Sequence, residues 1–266
     1  MTAAAPELLS ETKDGVLTLT LNRPEALNAL TASMLKGLAD AVTRAGRDGA
    51  ARVIVLAAAG RAFSAGADLG DVRRRMADGT FEHGDELRKS FNPLILAIRR
   101  VEKPVVAVVQ GTAAGAGASL AFACDLKICA AEAKFLNAFS KVGLIPDSGM
   151  TWLLPRALGS SLALEYAWLG KPIQAEAALR FGLVNRVVPA AELPAALRET
   201  LDALLAVPPL ALALTKRALG RSLEAASLEE QLEREAQLQS FLGRTKDHAE
   251  GIASFLEKRA PQFKGE

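Results

Sequence analysis

The 266-residue sequence predicts an α/β fold, in which strands and helices form layers or a superhelix and a helical region follows them. Short runs rich in β-branched residues alternate with longer helical segments through the first part of the chain. From about Leu193 the residues are almost all helix formers, with one break at Pro208–Pro209, and no strand pattern follows. These observations divide the chain into an α/β core, residues 1–192, and a helical C-terminal region, residues 193–266.

Five segments of the core have the pattern of strands. The segment Gly15–Asn22, "GVLTLTLN", alternates apolar and polar residues, as a half-buried strand does. The runs at 52–58 and 104–111 are continuously apolar, which is typical of strands covered on both faces. The same signal returns at 125–131 and 183–189.

Helices are predicted between these strands, at 31–45, 85–101, 114–123 and 148–157. Such a strand–helix–strand order implies right-handed crossovers between parallel strands. The segment 67–86 is polar and contains glycines, so we expect it to be a mobile surface region.

Composition argues against several classes of partner. The formal net charge is +2, from 32 basic and 30 acidic residues, so we expect neither nucleic acid nor an anionic membrane surface as a partner. The longest apolar runs are interrupted by glycine and glutamine, and the first residues lack a secretory pattern. Cys124 and Cys129 lie in apolar sequence and are interpreted as two buried thiols. We therefore expect a cytoplasmic protein.

Histidine is scarce in the sequence. His83 and His248 are the two histidines, and both occur in polar segments that favour an exposed position. A Ser-His-Asp triad or a histidine-ligated metal site is therefore not expected, and we predict no metal. The chemistry falls to carboxylates, hydroxyls and backbone groups.

Two glycine-rich turns follow buried strands, in "GRAFSAGADLGD" and in "QGTAAGAGASLAFACD". Such turns leave unpaired N–H groups, and two on adjacent strands could form an oxyanion hole. Close packing of helix on strand explains the same glycines and, on local sequence alone, is the favoured interpretation. A dinucleotide site is disfavoured, because Leu120 replaces the third glycine of the fingerprint and no acid follows about 20 residues later.

Asp147 stands out among the carboxylates near the second turn. Asp125 and Glu132 lie at the ends of a predicted strand, where polar residues are common. Asp147 instead lies in the apolar segment "GLIPDSGMTWLLPR", just before a predicted helix. Two roles stay open for it at this point, a helix N-cap and a catalytic carboxylate.

Six segments, taken together, are highly specific: "LTLNRPEALNAL", "GRAFSAGADL", "KPVVAVVQGTAAGAGASLAFACDLKICAAEAKF", "VGLIPDSGMTWLLPR", "FGLVNRVVP" and "GIASFLEKRAPQF". They resemble the crotonase, or enoyl-CoA hydratase/isomerase, superfamily nearly from end to end. The resemblance implies a superhelical core of ββα units, a C-terminal region that assembles trimers or dimers of trimers, and an acyl-CoA thioester substrate without a further cofactor. It also implies an oxyanion hole made by the N–H groups of Ala67 and Ala116. Coenzyme A would contact the two segments that contain Arg23, Ala26, Leu27, Ala65, Asp68 and Leu69.

The departures from the family pattern indicate the reaction. At the two positions where hydratases of this family have catalytic glutamates, this chain has Ser119 and Phe139, so we expect hydration to be lost. Asp147 matches the lone acid of the isomerase branch, and its surroundings are most similar to those in the ring-epoxyphenylacetyl-CoA isomerases of phenylacetate breakdown. The resemblance therefore implies an isomerase of enoyl- or ring-epoxyphenylacetyl-CoA thioesters. Phe139, Leu144 and Trp152 would form the walls of its acyl pocket, with core packing as the alternative for Trp152.

Three other interpretations stay open. The first is a hydratase-family enzyme of other specificity. The second is an aromatic acyl-CoA dehalogenase or hydrolase in which Asp147 attacks as a nucleophile. The third is a binding or scaffolding protein without catalytic activity.

Overall fold

The computed structural model describes residues 5–266, and its strands form two sheets. The strands are β1 (Leu8–Lys13), β2 (Val16–Leu21), β3 (Val53–Ala58), β4 (Ala62–Ser64), β5 (Val105–Val109), β6 (Thr112–Ala114), β7 (Leu126–Ala130), β8 (Lys134–Leu136), β9 (Pro172–Gln174) and β10 (Arg186–Val188). The larger sheet has the order β1-β2-β3-β5-β7-β10, and within it only β1 is antiparallel to its neighbour. The smaller sheet has the order β4-β6-β8-β9, with β9 antiparallel to β8.

Helices cover both sheets and make up the C-terminal region. They are α1 (Ala32–Ala45), α2 (Leu69–Ala77), α3 (His83–Glu86), α4 (Asn92–Arg100), α5 (Ala116–Ala123), α6 (Met150–Leu158), α7 (Ser160–Leu169), α8 (Ala175–Arg180), α9 (Leu193–Leu205), α10 (Pro209–Ser222), α11 (Leu228–Leu242) and α12 (Lys246–Glu257). A π-helical turn, Leu87–Phe91, joins α3 to α4, and a 3₁₀ turn, Phe139–Val142, precedes α6.

From β3 to β8, successive strands alternate between the two sheets, which makes the core a superhelix. The pairs β3–β4, β5–β6 and β7–β8 each contribute one strand to either sheet, and helices return the chain to the start of the next pair. Large apolar side chains such as Leu21, Met34, Phe63 and Phe135 are fully buried between these layers. The predicted α/β superhelix with a helical C-terminal region is confirmed.

The predicted strands correspond to β2, β3, β5, β7 and β10, with ends shifted by at most three residues. The sequence pattern missed β1 and all four strands of the smaller sheet, each of which is three residues long. Helix prediction at 85–101 was wrong in one respect, because the π-helical turn separates α3 from α4. The segment 67–86, expected to be a mobile surface region, contains α2 and α3.

The C-terminal region begins against the core rather than apart from it. Helix α9 packs on β3 and β7, and its Leu193 and Ala196 complete a small apolar cluster with Val53, Val106 and Ile128. Among residues 5–266, no single helix has the length and hydropathy to span a membrane; α9 with its preceding turn and α10 meet both criteria only as a pair, bent by 101°.

The two cysteines lie in the core, as predicted. Cys124 and Cys129 are both buried, and burial raises the pKa of each thiol to about 12. Both thiols are therefore protonated and unreactive at neutral pH.

Candidate active site

A cavity of about 140 Å³ opens where the two glycine-rich turns meet. Its walls come from these turns, from α2 and α3 with the π-helical turn that follows, and from the loop before α6. Seven of the predicted site residues line it together, namely Ala65, Ala67, Leu69, Ala116, Phe139, Leu144 and Asp147. Residues from four separate parts of the chain thus share one largely apolar space.

Backbone geometry leaves two amides free at this cavity. Within residues 5–266, the N–H groups of Ala67 and Ala116 have no hydrogen-bond acceptor. Ala67 follows the turn after β4, and Ala116 is the first residue of α5, where helical N–H groups have no intrahelical partner. Both are therefore available to donate to an oxygen in the cavity.

Gly66 allows the two turns to approach each other. Its φ is +93°, and a Cβ at this position would lie 2.8 Å from the Ala114 carbonyl oxygen and 3.4 Å from the Ala116 amide nitrogen. Gly117 is equally confined, since its Cβ would lie 2.6 Å from the Cβ of Ser64. Close packing, the favoured interpretation of these glycines, is therefore real, and the same packing places the two free amides on one cavity.

Asp147 does not cap a helix. Helix α6 begins after Gly149, and no side chain accepts a hydrogen bond from its first turn. The carboxylate is half-buried and lines the cavity, where Ser148 Oγ donates a 2.7 Å hydrogen bond to Asp147 Oδ1. Of the two roles left open by the sequence, the structure excludes capping.

The surroundings of Asp147 make its carboxylate a stronger base. Burial raises its pKa above the ordinary value, because the charged form loses hydration. The hydrogen bond from Ser148 and the charge of His83 oppose this effect and lower the pKa, but they do not cancel it. A carboxylate with a raised pKa accepts a proton more readily near neutral pH.

The segment 67–86 supplies two polar side chains to the cavity, His83 and Glu86, and no sequence pattern indicated Glu86. Glu86 lines the cavity and forms an ion pair with Arg75, with 2.9 Å between Oε2 and Nη1. The Arg75 guanidinium stacks over the Phe81 ring at 5.0 Å, and Phe81 meets His83 edge to face at 4.7 Å. His83 is exposed, as expected, yet it also lines the cavity. No local pattern marks these residues, because folding of α2 and α3 brings them to the site.

The six predicted coenzyme A residues occupy different positions. Ala65 and Leu69 line the cavity, whereas Ala26 ends a 3₁₀ turn, Pro24–Ala26, and Leu27 follows it. The other two, Arg23 and Asp68, form an ion pair at 3.0 Å, and Asp68 also caps α2. The two segments that contain them are joined directly, since the Ala65 amide donates to the Leu27 carbonyl at 2.8 Å.

Asn28 holds these segments together and was not singled out from the sequence. Its side chain is fully buried and donates to the carbonyls of Ala59 and Ala62 at 2.8 and 2.9 Å. Ser64 Oγ donates to the Asn28 carbonyl at 2.8 Å. The Asn28 side-chain amide also accepts a hydrogen bond from the Arg23 N–H, so its polar atoms are all hydrogen-bonded. Such a buried network is a rigid support for the first glycine-rich turn.

Trp152 lies outside the cavity, contrary to the prediction that it walls the acyl pocket. Its side chain has an exposed fraction of 48% and stacks against the Arg156 guanidinium. It lines a separate groove of about 730 Å³ between α4, α6 and α10. Asp147 precedes the start of α6, whereas Trp152 lies in its first turn. The two side chains therefore point in different directions although they are only five residues apart.

Residues 5–266 contain no group of three or more histidine, cysteine or acidic side chains arranged to hold a metal ion. The polar groups that line the cavity in this part of the chain are the side chains of Asp147, Glu86 and His83 and the free backbone amides.

Known proteins resemble this chain over almost its whole length. A family model described as "Enoyl-CoA hydratase/isomerase" matches residues 11–266. The chain is 42% identical to "1,2-epoxyphenylacetyl-CoA isomerase" of Escherichia coli K12, over 97% of this chain and 98% of that protein. It is 43% identical to a Rhodobacter capsulatus protein named "Probable enoyl-CoA hydratase", over 96% of each. The crystal structure of an enoyl-CoA hydratase from Mycobacterium smegmatis superposes with a TM-score of 0.91 at 35% identity, covering 97% of this chain and 99% of that one.

Proposed function

Because the chain belongs to the enoyl-CoA hydratase/isomerase family, we propose that it is an acyl-CoA isomerase in which Asp147 carries the proton. One observation supports this most directly. Of the residues that line the cavity in the described part of the chain, two have carboxylates, and Glu86 is held in an ion pair with Arg75. Asp147 is the carboxylate left free to exchange a proton.

The proposed reaction needs one base and one site for negative charge. With a 3-enoyl thioester, Asp147 takes a proton from C2, and the electron pair of the C–H bond moves to form an enolate with its charge on the thioester oxygen. The amides of Ala67 and Ala116 donate hydrogen bonds to that oxygen. Asp147 then returns the proton to C4, the double bond comes to lie between C2 and C3, and the carbonyl re-forms. Loss of one such donor typically slows a reaction about 100-fold or more.

Hydration of a double bond would need a second free carboxylate beside Asp147, and Glu86 of this cavity is held in its ion pair with Arg75. Water must be positioned and its protons moved on one face of the substrate, which takes two groups in suitable protonation states. At the two positions of the hydratase glutamates, Ser119 is fully buried and donates to the Asp147 carbonyl, and Phe139 is an apolar wall. These contacts favour isomerisation over hydration.

The substrate we propose is an enoyl- or ring-epoxyphenylacetyl-CoA thioester, in the breakdown of phenylacetate. The E. coli relative bears the name of such an isomerase, and it shares 42% identity over nearly both full lengths. An apolar cavity of about 140 Å³ suits a small acyl group of the size of an aromatic ring.

A second candidate follows from the position of His83. This histidine lines the cavity with Asp147 and contributes to its pKa. A nucleophilic Asp147 with an adjacent imidazole is the arrangement of an aromatic acyl-CoA dehalogenase or hydrolase, in which the carboxylate forms a covalent ester. Mass spectrometry of the protein quenched during turnover of a 4-halobenzoyl-CoA separates the two: an aspartyl adduct at Asp147 supports this candidate and its absence supports the isomerase.

We further propose that the chain assembles as a homotrimer or a dimer of trimers through its C-terminal region. Helices α11 and α12 expose large apolar side chains along their lengths, among them Leu228, Phe241, Ile252, Phe255 and Leu256. Faces of this kind are typical of surfaces that a partner covers.

The proposed reaction is tested with Asp147→Asn and a matched control, Asp40→Asn, which changes an exposed carboxylate on α1. Each protein is incubated with 2- and 3-enoyl-CoA thioesters in deuterated water, and the masses of the products are measured by mass spectrometry. We expect the wild type and the control to migrate the double bond with deuterium exchange and without water addition. Asp147→Asn should lower this rate by at least about 1,000-fold, as expected when the group that transfers the proton is removed. Turnover within a few-fold of wild type would refute the role of Asp147.

A further inference from the structure

Two serine hydroxyls hold Asp147, one by its backbone and one by its side chain. Ser119 Oγ, on α5, donates to the Asp147 carbonyl oxygen at 3.0 Å, and Ser119 is fully buried. Ser148 Oγ donates to Asp147 Oδ1 at 2.7 Å, and Ser148 has an exposed fraction of 3%. Neither serine lines the cavity, so both would affect the reaction through Asp147.

Ser148 adopts a backbone conformation that side chains disfavour. Its φ is +52°, in the left-handed region that glycine occupies without strain. Strained residues of this kind persist where the surrounding structure requires them and are concentrated at functional sites. Here the strained backbone brings the Ser148 hydroxyl to the neighbouring carboxylate.

Ser119 ties the acid to the oxyanion donor. It lies on α5, three residues after Ala116, whose free amide begins the same helix. Its bond to the Asp147 carbonyl therefore joins the loop before α6 to the rigid element that carries one of the two donors. The Asp147 carboxylate and the Ala116 amide are thereby held at a fixed distance from each other. Proton transfer next to a developing negative charge requires such a fixed arrangement.

We propose that Ser119 and Ser148 are positioning residues for Asp147, and that Ser148 engages Oδ1 so that Oδ2 is the oxygen that takes and returns the substrate proton. This inference rests on the proposed isomerase function. In the transfer step a carbon–hydrogen bond breaks and an Oδ2–H bond forms, and the return step reverses the exchange at another carbon. Ser148 keeps its own proton throughout.

Titratable side chains also lie near Asp147, in addition to the two serine hydroxyls. His83 of α3 lines the cavity, and so does Glu86, which is paired with Arg75 of α2. A pH profile must therefore be taken both in the native background and with His83→Gln, which removes the imidazole from the cavity wall.

The test of Ser148 uses two variants that both remove the hydroxyl. Ser148→Ala keeps the backbone strain, whereas Ser148→Gly relieves it, so the glycine variant should have the higher melting temperature. We expect kcat for 3-enoyl-CoA isomerisation to fall about tenfold in both, the equivalent of one hydrogen bond to a charged group. Loss of a donor to the charged carboxylate also raises its pKa. The acidic limb of the kcat profile should therefore move to higher pH in both variants and in both backgrounds.

The test of Ser119 has a different signature. Its bond goes to a backbone carbonyl, so Ser119→Ala should lower kcat with the acidic limb unmoved. Ser254→Ala is the matched control, since Ser254 is an equally buried serine that donates to a helical carbonyl on α12, away from the cavity. It should leave kcat and the pH profile unchanged.

An acidic limb that stays in place in both Ser148 variants would overturn the proposal for Ser148. Wild-type kcat in Ser119→Ala would overturn the proposal for Ser119. Failure of the isomerase function gives another result, because Asp147→Asn would then retain activity. If Asp147→Asn is inactive and the serine variants behave as wild type, the positioning inference alone is wrong.

Discussion

At Asp147, burial that favours the proposed proton transfer also opposes stability. The pKa of this carboxyl is raised in the folded protein above its ordinary value of 3.8, so the folded state holds the proton more tightly than the unfolded state. The contribution of this carboxyl to stability is therefore greatest below pH 3.8 and falls as the pH rises from 3.8 through the raised pKa. An asparagine in this position has the same shape without the charge.

We accordingly predict that Asp147→Asn unfolds at a higher temperature than wild type at pH 7.5, and that the gap narrows as the pH is lowered toward 3.8. Thermal unfolding followed by circular dichroism at several pH values measures it. Asp40→Asn is the control, because the hydrogen bond from Lys36 lowers the pKa of Asp40 and its removal should give no gain. A melting temperature for Asp147→Asn below that of wild type at pH 7.5 would contradict the assigned cost of burial.

Single residues differed in how far the sequence revealed them. Asp147 could be found because a carboxylate among apolar residues is locally unusual. Glu86 and His83 lie in an ordinary polar segment, and only the folding of α2 and α3 turns them toward the cavity. Trp152 shows the converse: an aromatic residue close to the acid in sequence points to another groove.

Among the elements, α10 is attached to the core through one buried cation. Lys216 Nζ donates to the carbonyls of Ile98 and Lys103, each at 3.0 Å, and to Asp125 Oδ2 at 2.7 Å. Burial lowers the pKa of Lys216, and the charge and hydrogen bond of Asp125 oppose that effect. Three acceptors from three segments thus depend on a single side chain.

We predict that Lys216→Ala lowers the free energy of unfolding by about 3 kcal/mol, because it removes the ammonium donor from two carbonyls and from the Asp125 carboxylate, which keeps only the Val105 N–H and Arg99 as partners. Denaturant unfolding measures the change. The neighbouring Arg217 supplies the control, since its ion pair with Glu102 is exposed and its removal should cost less than about 1 kcal/mol. Equal losses in the two variants would show that α10 is held in some other way.

Element prediction succeeded where a segment was long and strongly periodic. The continuous apolar runs became β3 and β5, and the amphipathic pattern at 31–45 became α1. The strands of the smaller sheet are three residues long, too short for any periodicity, and exist because β4, β6 and β8 pair with one another across the chain. The π-helical turn at Leu87–Phe91 likewise leaves no mark in the sequence.

For the whole molecule, the apolar surface of α11 and α12 predicts self-association. Phe255 of α12 has an exposed fraction of 83% and is the most exposed of the large apolar side chains in residues 5–266. We expect wild type to have the mass of three or six chains in light scattering after size exclusion. Phe255→Asp should shift it toward one chain at micromolar concentration, since a desolvated charge opposes association. Leu9→Asp, at an exposed apolar position on β1, should leave the mass unchanged. A one-chain mass for wild type would rule out the trimer.

By itself the sequence determined the α/β class, the buried strands, the helical C-terminal region and the unusual acid at Asp147. These properties are local, because periodicity and composition act over neighbouring residues. The tertiary structure alone decided which groups meet. Gly66 brings two distant turns into backbone contact and thereby directs the free amides of Ala67 and Ala116 into the cavity of Asp147. It also decided that Asp147 caps no helix and is held by Ser119 and Ser148, because such contacts form only when separate elements pack together.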